Sequence, residues 1–126
     1  MITAVAAALL IAHGLLHLGV WAPHDRRYRP EPFDPRRSWA LAAARVADFP
    51  AAAVSVALAS DTAILYVLAG VGLAVGAGWW SMAALVAASW GLVLKAIWFH
   101  PWLTAGALLD AAVVLAVAQS WPGSLD

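Results

Sequence analysis

The chain contains no cysteine, and charged residues fill only 11% of its 126 positions. The first absence removes disulfides, thiolate metal ligands and cysteine nucleophiles together. The second goes with a hydrophobic share of 64% and a mean hydropathy of +0.83. Soluble domains hold about 45–50% apolar and about 25% charged residues, so the composition points to an integral membrane protein with the lipid bilayer as its main partner. Seven basic and seven acidic residues cancel, and no basic patch of the nucleic-acid-binding kind is present, so nucleic acid is not an expected partner. A Gly-x-Ser-x-Gly elbow and a His-Glu-x-x-His helix are also missing, which removes the support for a serine hydrolase or a zincin protease. The length leaves room for one domain, residues 1–126.

What is present is a set of long apolar runs. The opening stretch, about 2–21, has no basic leader and exceeds the usual length of a signal's apolar core. It reads as a retained spanning helix, since a span needs about 20 mainly apolar residues. Residues 23–38 differ in kind. Four of the chain's seven prolines (Pro23, Pro30, Pro32, Pro35) lie there among arginines, and no helix runs through such spacing. Asp34-Pro35 has the pattern of an N-cap with proline at the first helical position, which predicts a charged, apolar-faced interfacial helix over about 35–49. The competing reading makes Trp39 to Ala59 a full span with Arg45 and Asp48 paired inside it. From Ala51 onward the chain is apolar nearly throughout. Breaks at Gly78-Trp79-Trp80-Ser81 and His100-Pro101 divide it into spans of about 53–77, 80–99 and 102–121.

Charge and tryptophan placement favour four spans over five. Six of the seven basic residues (Arg26, Arg27, Arg29, Arg36, Arg37, Arg45) fall between the first and second spans. The positive-inside rule puts that loop, 23–50, in the cytoplasm and the termini outside. With four spans Lys95 falls toward the same side. Trp21, Trp98 and Trp102 then mark one boundary, and Trp79, Trp80 and Trp121 the other. Trp80 to Trp98 and Trp102 to Trp121 each cover roughly 27–28 Å at the helical rise, close to the hydrocarbon thickness. The expected fold is an all-α, four-helix membrane bundle. Gly70, Gly72, Gly76 and Gly78, with Ala83, Ala87, Ala88 and Gly91, form small-residue seams that let helices touch closely. Such seams hold bundles together, and no dimer follows from them.

Against this apolar background the ionisable residues stand out. His13 and His17 are one helical turn apart and so share a face. Asp110 lies well inside the last span, Lys95 just inside the third, Asp61 toward the loop end of the second, and His100 at the last turn. Buried charges cost about 2.5–3.5 kcal/mol each on insertion scales, and ionisable groups at depth mark a site by default. His13, His17, Asp110 and Lys95 are therefore the candidate intramembrane polar site, with His100 and Asp61 as its candidate surroundings. The structural alternative is equally concrete. Lys95 pairs with Asp110 or Asp61 to fix helix register, or snorkels to the headgroups. Asp61 caps its helix, and the histidines bond to neighbouring carbonyls.

Three chemistries fit two imidazoles and a carboxylate. His13 and His17 supply two nitrogen ligands from one helix for a metal ion or a haem. Histidine titrates near neutrality, so the same groups suit a proton or ion relay. The third is binding of a polar head, such as a redox lipid's ring or a lipid phosphate. Beside these stands a reading from another class: a non-catalytic accessory or assembly subunit whose loop, through Arg26, Arg27 and Arg29, docks a partner. That partner is another membrane protein or a second copy of the chain.

Ala12-His13-Gly14-Leu15-Leu16-His17-Leu18-Gly19 resembles the opening of a loose group of small bacterial membrane proteins with about four spans. Gly78-Trp79-Trp80 and Phe99-His100-Pro101-Trp102-Leu103, followed by Asp110, are similar to the later spans of that group. The overall plan, though not particular residues, is also similar to the DoxX-like four-helix proteins. The resemblance covers the first helix and the second half of the chain. It implies a multi-pass protein of the bacterial cytoplasmic membrane and no particular activity.

Overall fold

The structure, a computed structural model, describes residues 1–22 and 34–122. Helix α1 spans Ile2–Trp21, α2 Trp39–Ala43, α3 Ala51–Ala74, α4 Trp80–Ile97 and α5 Thr104–Ala118, with a 3-10 turn at Pro101–Leu103 leading into α5. No strand occurs among the described residues. Among the described residues four helices are long and apolar enough to cross a membrane: α1, α3, α4 and the run Pro101–Ala118. The five-span alternative falls away, because the stretch from Trp39 to Ala59 is broken around Arg45 and Asp48. Both are exposed and have positive φ, 53° and 57°.

Local chemistry explains where each helix stops. Ala22 is extended (φ −63°, ψ 142°), the conformation forced on a residue that precedes proline. Helix α3 ends earlier than the expected 77. Gly76 adopts φ 69°, with Gly76 N–H donating to Leu73 O (3.2 Å) and Ala77 N–H to Gly72 O (2.8 Å). That bonding pattern is a Schellman cap, which a left-handed glycine favours. Gly76 and Gly78 therefore belong to a turn, and a Cβ built at either meets nothing within 4 Å. The close-packing seam is carried instead by Gly70, against Ile11 and Ala7 of α1, and by Gly14, against Ala63 and Tyr66 of α3.

The helix between the first two spans is shorter than the expected 35–49. Asp34 does not cap it; its carboxylate accepts from Arg36 N–H at 3.0 Å in a local turn. Ser38 is the cap, accepting from Leu41 N–H at 3.3 Å while its hydroxyl donates to Ile97 O at 2.6 Å. Trp39 Nε1–H donates to Ala96 O at 2.7 Å, so α2 is pinned to the end of α4. Arg26, Arg27 and Arg29 lie outside the described residues.

Helix α1 packs on α3, α3 on α4 and α4 on α5. Two apolar cores result. One joins Leu10, Tyr66, Leu73 and Ala84 among others; the second joins Trp21, Ala59, Leu94 and Trp98. Helix α5 is peripheral, with 11% of its apolar run buried against 39% for α3. Asp110 is its only buried residue.

Candidate intramembrane polar site

Every spanning helix sends polar side chains to one place: His13 and His17 from α1, Tyr66 from α3, Lys95 from α4 and Asp110 from α5. Asp110 is the hub and is wholly buried. Its Oδ1 accepts from Tyr66 Oη–H at 2.6 Å and from His13 Nε2–H at 2.7 Å; its Oδ2 accepts from Lys95 Nζ at 2.6 Å. Lys95, 5% exposed, also donates to His17 Nε2 at 2.8 Å. His17 Nδ1–H donates to the His13 carbonyl at 3.1 Å.

These partners fix the proton positions. A carbonyl only accepts, so the proton of His17 sits on Nδ1 and its Nε2 lone pair faces the ammonium. A neutral His13 that donates Nε2–H to the carboxylate carries a lone pair on Nδ1. That atom is buried and has no hydrogen-bond partner. With both imidazoles neutral, the group pairs one carboxylate with one ammonium and its net charge is zero. The rings brace one another. His13 meets His17 and Tyr66 edge to face, with centroids 4.9 and 4.8 Å apart, and Tyr66 stacks on His17 at 5.8 Å.

Backbone geometry creates the space. A Cβ on Gly91 would run into the Asp110 carboxylate, and one on Gly106 would lie 2.7 Å from Lys95 Cε. Lys95 does not snorkel toward the near end of its helix. Helical side chains slant toward the N-terminus of their own helix, and its Nζ reaches back to within 3.5 Å of Gly91 O.

His13, His17, Lys95 and Asp110 are thus brought together, and two other candidates are not. Asp61 lies in the interior of α3, ten residues along from Ala51, and its side chain is exposed. It is no N-cap, because Pro50 takes that position. His100 caps the 3-10 turn, its Nδ1 accepting from Trp102 N–H at 3.2 Å. Among the described residues the group close enough to share a metal ion consists of His13, His17 and Asp110, and neither belongs to it. Tyr66 is the member that sequence reasoning missed. The available signal was a phenol lying in the middle of an apolar run, where a buried hydroxyl needs a partner.

The ligand atoms of His13, His17 and Asp110 all lie within 4.8 Å of one another, a set of two nitrogens and an oxygen suited to zinc. Lys95 Nζ, however, already binds His17 Nε2 and Asp110 Oδ2. An ammonium and a metal ion compete for the same lone pairs, and here the side chain takes the cation's place. No protein-family model, no curated protein and no solved structure matches the chain.

Proposed function

We propose that this is a proton-exchanging site inside a bacterial cytoplasmic membrane, with the 23–50 loop in the cytoplasm and the termini outside. The observation that carries it is the unbroken series His13–Asp110–Lys95–His17, which ends at a single open acceptor, His13 Nδ1. A proton arriving at Nδ1 allows the Nε2 proton to pass to Asp110. Asp110 then passes a proton to Lys95 as Lys95 passes one to His17, which restores the carboxylate and the ammonium and leaves His17 as the cation, so the charge moves without any side chain carrying it across. Acid, base and amine in contact within a bilayer are the usual elements of a proton relay.

The test is proton flux into proteoliposomes under an imposed membrane potential, read with an enclosed pH dye. Wild type conducts, and His13→Ala conducts at most a tenth as well (an order-of-magnitude expectation for general acid–base groups) while remaining folded. Equal flux in the variant, or none in wild type, removes the reading.

One observation favours the accessory alternative. The same cluster links all four spanning helices and leaves only one of its atoms unpaired, as a purely architectural knot would. Under that reading His13→Ala plus His17→Ala fails to accumulate in the membrane, and replacing Arg26, Arg27 and Arg29 by glutamine weakens capture of a partner.

A further inference from the structure

Between α1 and α5 the bundle is not closed by extensive helix packing, and two cavities open along that seam. One, about 330 Å³, runs between Leu9 and Leu16 of α1 and Leu109 and Val113 of α5, reaching Trp80 and Trp121. The second, about 380 Å³, is bounded by His13, His17 and Lys95 and extends past Trp21 and Trp102. His13, Leu16 and Leu109 border both. They are two halves of one cleft, apolar at one end and polar at the other, and each half is of the size that holds a small ligand, about 300–1,000 Å³. The leucines on its rim are half exposed or more: Leu9 62%, Leu16 59% and Leu109 50%. Access is therefore sideways, from the bilayer.

The polar end has one weakly bonded donor and one acceptor without a partner. Lys95 has three N–H groups; two are well bonded, and the third reaches only Gly91 O at 3.5 Å, the limit of a hydrogen bond. His13 Nδ1 is an acceptor with no donor. A hydroxyl answers both at once, since its oxygen accepts and its proton donates. A carbonyl head would leave Nδ1 unmet. A carboxylate would add a charge to a neutral cluster at depth, which is costly. Asp110 borders neither cavity, so the cleft presents the ammonium and the imidazoles with the carboxylate behind them.

The geometry points to a lipid with a hydroxyl head and an otherwise apolar chain as the occupant of this cleft. Its oxygen lies between Lys95 and His13, and its chain lies along Leu9 and Val113 toward Trp80 and Trp121. Nδ1 is buried, so seating the head requires the His13 ring to shift. This inference stands whether or not the cluster conducts protons, because binding needs only the two hydrogen bonds.

The experiment uses the full chain in nanodiscs and quenching of its tryptophans by a dibrominated octadecanol. The same brominated chain is also presented as its methyl ester, as its free acid and as a phosphatidylcholine. The alcohol quenches saturably and binds about tenfold more tightly than the ester, the ratio expected for one added hydrogen bond. The phosphatidylcholine quenches without saturation. Ala112→Phe fills the apolar half from the α5 wall and abolishes the saturable part. Ala12→Phe does so from the α1 wall, and both positions are exposed. Unsaturable quenching by the alcohol, equal affinity for alcohol and ester, or indifference to both fillings overturns the assignment. Proton flux measured without added alcohol is a separate readout, so either idea can fail alone.

Discussion

Asp110 carries the energetics of the site, because three side chains, His13, Tyr66 and Lys95, bond to one carboxylate. Asp110→Asn strands the Lys95 ammonium in an apolar interior, and removing one partner of a buried pair costs about 3–5 kcal/mol. Replacing both, Asp110→Leu with Lys95→Met, removes the charges together and costs far less. Unfolding in detergent of Asp110→Asn and of the double variant checks this. A double variant as unstable as Asp110→Asn would show that the pair is not the source of the effect. Gly91 gives a second residue-scale prediction. Gly91→Ala drives a methyl group into the carboxylate and destabilises by about 1–3 kcal/mol. Gly19→Ala, where a Cβ meets nothing within 4 Å, leaves the melting temperature unchanged. What the sequence revealed at this scale follows from contrast. His13, His17, Lys95 and Asp110 are conspicuous because ionisable groups are costly in an apolar run. Tyr66 is not, since a phenol is half apolar and passes as core. Gly91 reads as packing until the carboxylate from another helix is seen above it.

Among the elements, helix ends separate what sequence can fix from what it cannot. The long apolar runs delimit four spans, and Ala22 ahead of Pro23 marks the end of α1 plainly. Asp34-Pro35 has the signature of a helix start, yet Asp34 bonds to Arg36 N–H and Ser38 takes the cap. A side chain that caps and one that closes a turn use the same oxygen, so composition alone does not choose between them. Gly72 and Gly76 have seam spacing, but Gly76 is the left-handed residue that ends α3. Gly76→Ala places a Cβ in that conformation and costs about 1–2 kcal/mol. Gly78→Ala, with ordinary φ and open space, costs nothing detectable. Thermal unfolding followed by circular dichroism distinguishes the two, and equal losses would mean that the turn at Gly76 is not as described.

For the whole molecule, the absence of cysteine makes orientation directly measurable. Single-cysteine variants Arg37→Cys and Gly78→Cys lie at opposite ends of the bundle and, under the proposed topology, label with a membrane-impermeant maleimide from opposite sides of intact cells. Gly78→Cys reacts before lysis and Arg37→Cys only after it. The reverse order would place the arginine-rich loop outside and invert the path proposed for the proton.

The division of the ion pair between α4 and α5 also bears on biogenesis. Lys95 emerges from the ribosome fifteen residues before its carboxylate, with only a tight turn between the two helices. A translocon that released α4 alone would release an unneutralised cation into lipid, so the final two helices should leave the channel as a hairpin. A ribosome stalled before Asp110 should then leave a nascent chain that crosslinks to the translocon, and one stalled after α5 a chain that crosslinks to lipid.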